Sequence, residues 1–526
     1  MTEAAPLTPL LVIVGYLGLL LVLGFVSSRF FRGTSADYFV VSRSIGPVLL
    51  LMSIFGTTMT GFALVGSTGE SYRSGIGVYG LMASWSGLVH SAVFFLVGIR
   101  LWAIGKRHGY VTQCAYFRDR FESPALGTLL FVILVLLVIP YLLVGVIAAG
   151  KFLQSTTAGM FPHLFALPEV ETATGMQPHP LSGGVSPWLG GLTICLIVLT
   201  YVFLGGLRGA VWANTFQTAV FMITGVVAFW MIASRLGGLA EAARLVQENE
   251  HASPRLAREG LIGHGQFLSY CLIPLSVGMF PHVFQHWLTA RSARSFRLTV
   301  VAHPIFILIV WVPCILIGLW AAAALGPDAT PNAVLGRMVR QLVHSPILSG
   351  LVGAGVLAAI MSSLDSQFMC LGTMFTNDIV VRWFGRHRFN DREKILLARG
   401  FIVGVVTVTY LLALWLQDSA QVFDLGVWCF SGFASLFPVV FAAVYWRRAT
   451  LAGVLASLLV TVVTWSLFFY QDVVLNRAGP DGDKFLIFGF MPVAVIFVSS
   501  AIALVAVSLL TRPPSQATVD RFFINA

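Results

Sequence analysis

The sequence predicts an all-α membrane protein of about thirteen transmembrane helices, and two observations predict it. Of its 526 residues, 57% are hydrophobic and only 10% are charged, at a mean hydropathy of +0.87, whereas charged residues make up about a quarter of an ordinary soluble domain. Apolar segments of about 20 residues, each long enough to cross a hydrocarbon core of about 30 Å as a helix, recur along the whole chain. The lipid bilayer is therefore the solvent, and the polar gaps are too short for a soluble domain.

The segments fall at 8–28, 46–68, 75–104, 126–150, 187–205, 212–235, 266–288, 301–326, 346–373, 396–417, 421–446, 450–471 and 486–511. The first lacks a basic leader and a small-residue cleavage site, so it reads as a retained helix. An odd count puts the termini on opposite sides of the bilayer. With loops assigned alternately, the sets following odd- and even-numbered segments hold 22 and 10 of the 32 Lys and Arg. The richer side is cytoplasmic, which puts the N-terminus outside and the C-terminus in the cytoplasm, with the cell membrane as the expected location. The net charge of +10 is then a matter of topology and calls for no nucleic-acid partner.

The densest basic loop, Arg382, Arg386, Arg388, Arg392, Lys394 and Arg399, reads as a lipid-facing cytoplasmic patch. Loops 151–186 and 236–265 are longer and read as lids on the outer face. The six cysteines, Cys114, Cys195, Cys271, Cys314, Cys370 and Cys429, show no metal-binding spacing and read as free thiols packed like small hydrophobes.

Two segments carry polar groups at membrane depth, where freed backbone carbonyls are tolerated only if they line a cavity or bind an ion. The second holds Ser53, Gly56, Thr57, Thr58, Thr60, Gly61, Gly66, Ser67 and Gly69. Such a run either unwinds near the midplane or forms a small-residue face for close helix packing. The ninth holds Ser362, Ser363, Asp365 and Ser366 within an apolar span. An intramembrane acid marks a functional site by default, and hydroxyls with loosened carbonyls suit a hard cation such as sodium; serines bonded back to their own helix are the alternative. The second and ninth segments are thus expected to be the two interrupted helices.

Four motifs, the Gly/Thr run ending GSTGESYRSGIG (66–77), GGLRGAVWANTFQ (205–217), FPHVFQHWLTARS (280–292) and AAIMSSLDSQ (358–367), together resemble those of the sodium/solute symporter family, in the family's order over almost the whole chain. That family includes proline, pantothenate, sialic acid and sugar symporters. The resemblance implies a five-plus-five inverted repeat with one extra N-terminal and two extra C-terminal helices. Residues 1–45 would then be the N-terminal helix and loop, 46–235 the first repeat, 236–265 an extracellular loop, 266–446 the second repeat, and 447–526 the last two helices with a short cytoplasmic tail.

The resemblance further implies a co-transported sodium held by the carbonyls of Gly56, Met59 and Ala359 and the hydroxyls of Ser362 and Ser363. A second cation site in some members needs an Asp where this chain has Asn214. Asp365, however, stands where those members have a serine ligand, beside Ser362 and Ser366. Either the carboxylate has moved across the site or Asp365 only hydrogen-bonds neighbouring helices. The positions resembling solute-pocket residues are Thr57, Thr58, Thr60, Ala63, Met82 and Trp85. Ala63 and Met82 cannot hydrogen-bond a ring of hydroxyls, which argues against a sugar. Pro281 and His282 look more like the proline and pantothenate branches, favouring a small organic acid or amino acid. Gly205, Gly206 and Arg208 read as a helix end and cytoplasmic anchor, and His282 and His286 as structural or cytoplasm-facing. Glu70 and Asp424 are not placed.

The expected function is therefore sodium-coupled symport of a small organic solute by alternating access, and not enzymatic, since no nucleophile with its base and no HExxH motif appears. A membrane receptor for a small solute is the alternative. The tail of about 15 residues after Arg512 leaves no room for a fused kinase, so a receptor would need a separate signalling partner.

Overall fold

The computed structural model describes residues 5–29, 34, 38–39, 43–172, 175–385, 388–475 and 484–523; Arg386 lies outside them. Among the described residues the regular elements are helices apart from one hairpin in the 151–186 loop, where Val170–Thr172 pairs antiparallel with Gly175–Gln177. The membrane helices are α1 (Thr8–Ser28), α2 (Pro47–Thr58), α3 (Phe62–Ser74), α4 (Gly77–His108), α5 (Pro124–Thr156), α6 (Pro187–Arg235), α7 (His264–Gly278), α8 (Pro281–Thr289), α9 (Ser295–Ala324), α10 (Pro346–Phe384), α11 (Asp391–Leu416), α12 (Val422–Tyr445), α13 (Leu451–Val473) and α14 (Pro492–Leu510).

Local chemistry explains where they start. Proline stands in the first turn of α2, α5, α6, α8, α10 and α14, where its missing N–H is one that no intrahelical acceptor would have met. Ser123 and Ser345 each cap the following helix, accepting from the N–H of Leu126 and Leu348.

Ten helices among the described residues are long and apolar enough to span alone, and α2 with α3 and α7 with α8 form two further spans bent by 61° and 50°. The 49-residue α6 is really two helices. Gly206 sits inside it at φ 57° and ψ −153°, a left-handed backbone that favours glycine. Divided there, the described residues hold thirteen spans, the expected number. Five lie between residues 47 and 235 and five between 264 and 445, and each set opens on a bent helix.

One expectation fails. The ninth span is continuous as an α-helix from Pro346 to Met374, so the serines and Asp365 lie on an unbroken helix. The second break falls instead in the seventh span, between Gly278 and Pro281. The cause is local: Pro281 has no N–H for the preceding turn, and Phe280 is extended at φ −63° and ψ 115°.

Burial sorts the helices. The apolar window of α10 is 83% buried and that of α12 is 78%, against 28% for α13 and α14. The former are central, and the latter show most of their surface to lipid. α10 packs most extensively against α6, and both bent spans lie against this pair. All six cysteines are free, and all but Cys271 are buried.

Candidate functional site

The break in the second span begins where the Gly/Thr run exhausts its helix formers. The α2 ladder ends as Met59 N–H donates to Phe55 O at 3.0 Å, and Met59 then turns extended at φ −88° and ψ 115°. Thr60 starts the next half, its Oγ1 accepting from Phe62 N–H at 3.0 Å. Gly56 lets α2 approach α6 closely, since a Cβ there would lie 2.5 Å from Thr218 Oγ1. The carbonyls after residue 55 lose their next-turn donors, as helix ends do.

The structure brings part of the first expected ion set together. Ser362 Oγ on α10 lies 2.8 Å from Gly56 O across the break and 2.9 Å from Ala359 O on its own helix. Met59, Ala359, Ser362 and Ser363 are at most 1% exposed. One hydroxyl therefore already joins carbonyls of both helices in a dry setting, where a cation held by oxygens gains most.

The expected pocket positions separate into two groups. Thr57, Thr58, Thr60 and Ala63 are buried along the break. Thr58 Oγ1 donates to Phe55 O at 2.9 Å, while Thr57 Oγ1 has no partner. Met82 and Trp85 lie on α4; Met82 is fully buried, and the Trp85 ring is 6.3 Å from that of Phe267 at the start of α7.

Around Asp365 lies a buried polar network that only partly emerged from the sequence. Tyr201 donates to Asp365 Oδ2 at 2.9 Å, and Ser366 Oγ donates to Asp365 Oδ1 at 2.9 Å. Turned so that its nitrogen faces acceptors, the Asn214 amide donates to Asp365 Oδ2 at 2.8 Å. Thus Asn214, Asp365 and Ser366, expected together, do meet. His286 is not cytoplasm-facing: it is 1% exposed, with Nε2 3.0 Å from Ser366 Oγ and Nδ1 2.8 Å from Ser53 Oγ. His282 is likewise fully buried. Among the described residues, no Lys or Arg forms an ion pair with Asp365.

Glu70 and Asp424 find their places in a charged cluster at the far end of α3. Lys484 Nζ lies 3.1 Å from Glu70 Oε2 and also pairs with Asp424. Arg73 Nη1 is 3.3 Å from Asp424 Oδ2 and 3.7 Å from Glu70 Oε2. Burial pushes the Lys484 ammonium down, but Asp424 and Glu70 outweigh it and hold its pKa above the usual lysine value. The cluster ties α3, α12 and the segment before α14 together, and no sequence spacing announces it.

Two bent helices set against a central unbroken helix with buried hydroxyls and a carboxylate define a transporter of the alternating-access class. The sequence profile described as "Sodium:solute symporter family" matches residues 38–165 and 184–461, and the chain belongs to that family. It is 26% identical over 516 residues to the sodium/proline symporter of Haemophilus influenzae, covering 94% of each chain. It is 24% identical over 541 residues to the sodium/proline symporter of Escherichia coli, covering 98% of this chain and 96% of that one.

Among solved structures it resembles a Na+-coupled sialic acid symporter in a substrate-bound outward-open state, with a TM-score of 0.73 at 18% identity over 97% of this chain and 99% of the other. It also resembles a nucleobase-cation-symport-1 family transporter in a closed conformation, with a TM-score of 0.57 at 14% identity over 93% of this chain and 99% of that one. These likenesses establish the inverted-repeat fold. The protein is a multi-pass, sodium-coupled symporter of a small organic solute, with sodium as the co-transported ion. These relatives are transporters, not enzymes.

Proposed function

We propose that this symporter imports a small amino acid or organic acid across the cell membrane, with the N-terminus outside and the C-terminus in the cytoplasm. Residues 46–235 and 266–446 serve as the two repeats. The observation that carries the site assignment is the Ser362 hydroxyl between Gly56 O and Ala359 O. In this reading those carbonyls, with Met59 O and the Ser362 and Ser363 hydroxyls, hold one sodium. Asn214, Asp365, Ser362 and Ser366 form the second cation position. Thr57, Thr58, Thr60, Ala63, Met82 and Trp85 contribute to the solute path. The solute class is supported by the sodium/proline symporters among the relatives and by the apolar Ala63 and Met82, which suit a compact solute better than a ring of hydroxyls.

A thermal-stability screen of the purified protein tests the solute class, because a ligand that binds only the folded state raises its stability. L-Proline or another small amino or organic acid should raise the melting temperature in sodium and do so far less in potassium. A response to sugars alone would overturn the class.

The number of ions has an energetic signature. One sodium crossing 100 mV supplies about 2.3 kcal/mol, and a tenfold sodium gradient about 1.4 kcal/mol more, which limits a neutral solute to an accumulation of several hundredfold. Two ions square that limit. With the second cation position in use, accumulation in proteoliposomes under those gradients should exceed the single-ion limit; a plateau at or below it, in vesicles shown to be tight, would argue for one ion.

A further inference from the structure

A groove of about 710 Å³ opens between the end of α10 and the start of α11, within the range of about 300–1,000 Å³ common for ligand sites. Its floor is apolar and stiff. Phe375 of α10 stacks on Phe401 of α11 with ring centres 4.2 Å apart and planes 4° from parallel, and Phe131 of α5 lies 6.4 and 6.0 Å from the two rings. Leu396 and Leu397 line the groove beside them. Leu396 is exposed, so the floor runs on into the outer apolar surface of α11.

Gly400 lines the same groove. A glycine inside a helix weakens it relative to alanine, and a close neighbour usually explains one. Here there is none: a Cβ at Gly400 would meet no atom within 4 Å, and the same holds for Gly404 one turn further on. The two glycines leave a shallow channel that nothing in this chain fills.

The rim is basic. Arg388 lines the groove, and Arg382 and Arg392 stand exposed near it in the sequence. Among the described residues none of the three forms an ion pair. Glu393, the acid among the lining residues, is turned to its own helix, where its Oε2 accepts from Asn390 N–H at 2.8 Å. Trp383 and Phe384 are exposed at the end of α10 and mark the level of the lipid headgroups, where such rings collect.

We propose that this groove is a binding site for an anionic phospholipid, its phosphate held by Arg388 and an acyl chain lying over Phe375, Phe401 and Gly400. A guanidinium meets phosphate oxygens with paired N–H donors, and basic pockets between membrane helices favour such headgroups. Phe375 continues the helix that carries Ser362 and Asp365, so the lipid braces the end of the central helix. A second copy of the chain is a poorer occupant. Two-fold pairing through this face would set the same exposed arginines of both copies against each other.

Native mass spectrometry and thermal melts of the full chain test the site, with anionic phosphatidylglycerol and net-neutral phosphatidylcholine of the same acyl chains as probes. Wild type should bind phosphatidylglycerol about tenfold more tightly and melt at a higher temperature in it. Arg388→Gln should weaken that binding about tenfold, and so should Gly400→Leu, which puts a side chain into the empty channel. Both should melt like wild type in phosphatidylcholine. Arg294→Gln, at an exposed arginine just before α9, should stay within about twofold of wild type.

The proposal is overturned if either Arg388→Gln or Gly400→Leu binds phosphatidylglycerol like wild type. It is also overturned if Arg294→Gln loses as much as Arg388→Gln, the result for diffuse surface charge, or if soluble glycerol phosphate gives the same rise in melting temperature, the result for a free anion. Loss of a wild-type dimer in Gly400→Leu, with phosphatidylglycerol binding unchanged, would give the groove to a second copy instead. Should Gly400→Leu fail to fold, the comparison of Arg388→Gln with Arg294→Gln decides alone.

Discussion

Ser362→Ala is expected to weaken apparent sodium affinity at least tenfold while leaving expression and membrane insertion near wild type. The hydroxyl is fully buried and joins Gly56 O of the bent span to Ala359 O of α10 at 2.8 and 2.9 Å. Removing an oxygen from a desolvated cation with few alternatives costs about 1.5–3 kcal/mol, or ten- to hundredfold in affinity. Ser363→Ala should act in the same direction. Solute affinity must fall with it, because coupling between two binding sites is reciprocal. Sodium titrations of uptake and of thermal stability measure both. Unchanged sodium affinity in both alanine variants would remove the ion from this junction.

Asp365→Asn is expected to lower the charge moved per solute by one and to reduce maximal accumulation to about the square root of its wild-type value under the same gradients. Asp365 is fully buried, bonded to Tyr201 and Ser366 and reached by the Asn214 amide. Desolvating a carboxylate alone costs several kcal/mol, so a charge there must be balanced by an ion or a proton. The double change Asn214→Asp with Asp365→Ser keeps one carboxylate in the network on the opposite helix. It should recover coupling that neither single change retains, a non-additivity expected only of residues sharing a site. Reversal potentials in proteoliposomes read the stoichiometry. An Asp365→Asn protein with wild-type reversal potential and ion dependence would make Asp365 a structural hydrogen-bonding residue.

Much of this architecture was legible because membrane helices announce themselves by length and apolarity. The first break was readable because Gly56, Thr57, Thr58, Thr60 and Gly61 form a run that both weakens a helix and supplies oxygens. The Gly205–Gly206 end was readable too, and Gly206 does hold a left-handed kink. Polar side chains on α10 stand out against apolar neighbours in the sequence and suggest a helix interruption, but α10 is continuous from Pro346 to Met374. The true second break had a signal of its own, Gly278 followed by Pro281. It was hidden because the surrounding residues keep the hydropathy of one continuous span. Pairings across the fold were not legible. Glu70 and Arg73 lie 351 to 414 residues from Asp424 and Lys484, and His286 lies 233 residues after Ser53 and 80 before Ser366. No periodicity links such groups before the helices pack.

Labelled L-proline uptake into proteoliposomes, driven by an imposed inward sodium gradient with the interior held negative, tests sodium-coupled amino acid import most directly. Wild type should accumulate label above its external concentration and release it when the sodium gradient is collapsed. Ser362→Ala should need at least about tenfold more sodium to do so. Label that only equilibrates across the membrane, at the same rate in sodium and in potassium and unchanged by Ser362→Ala, would contradict the account.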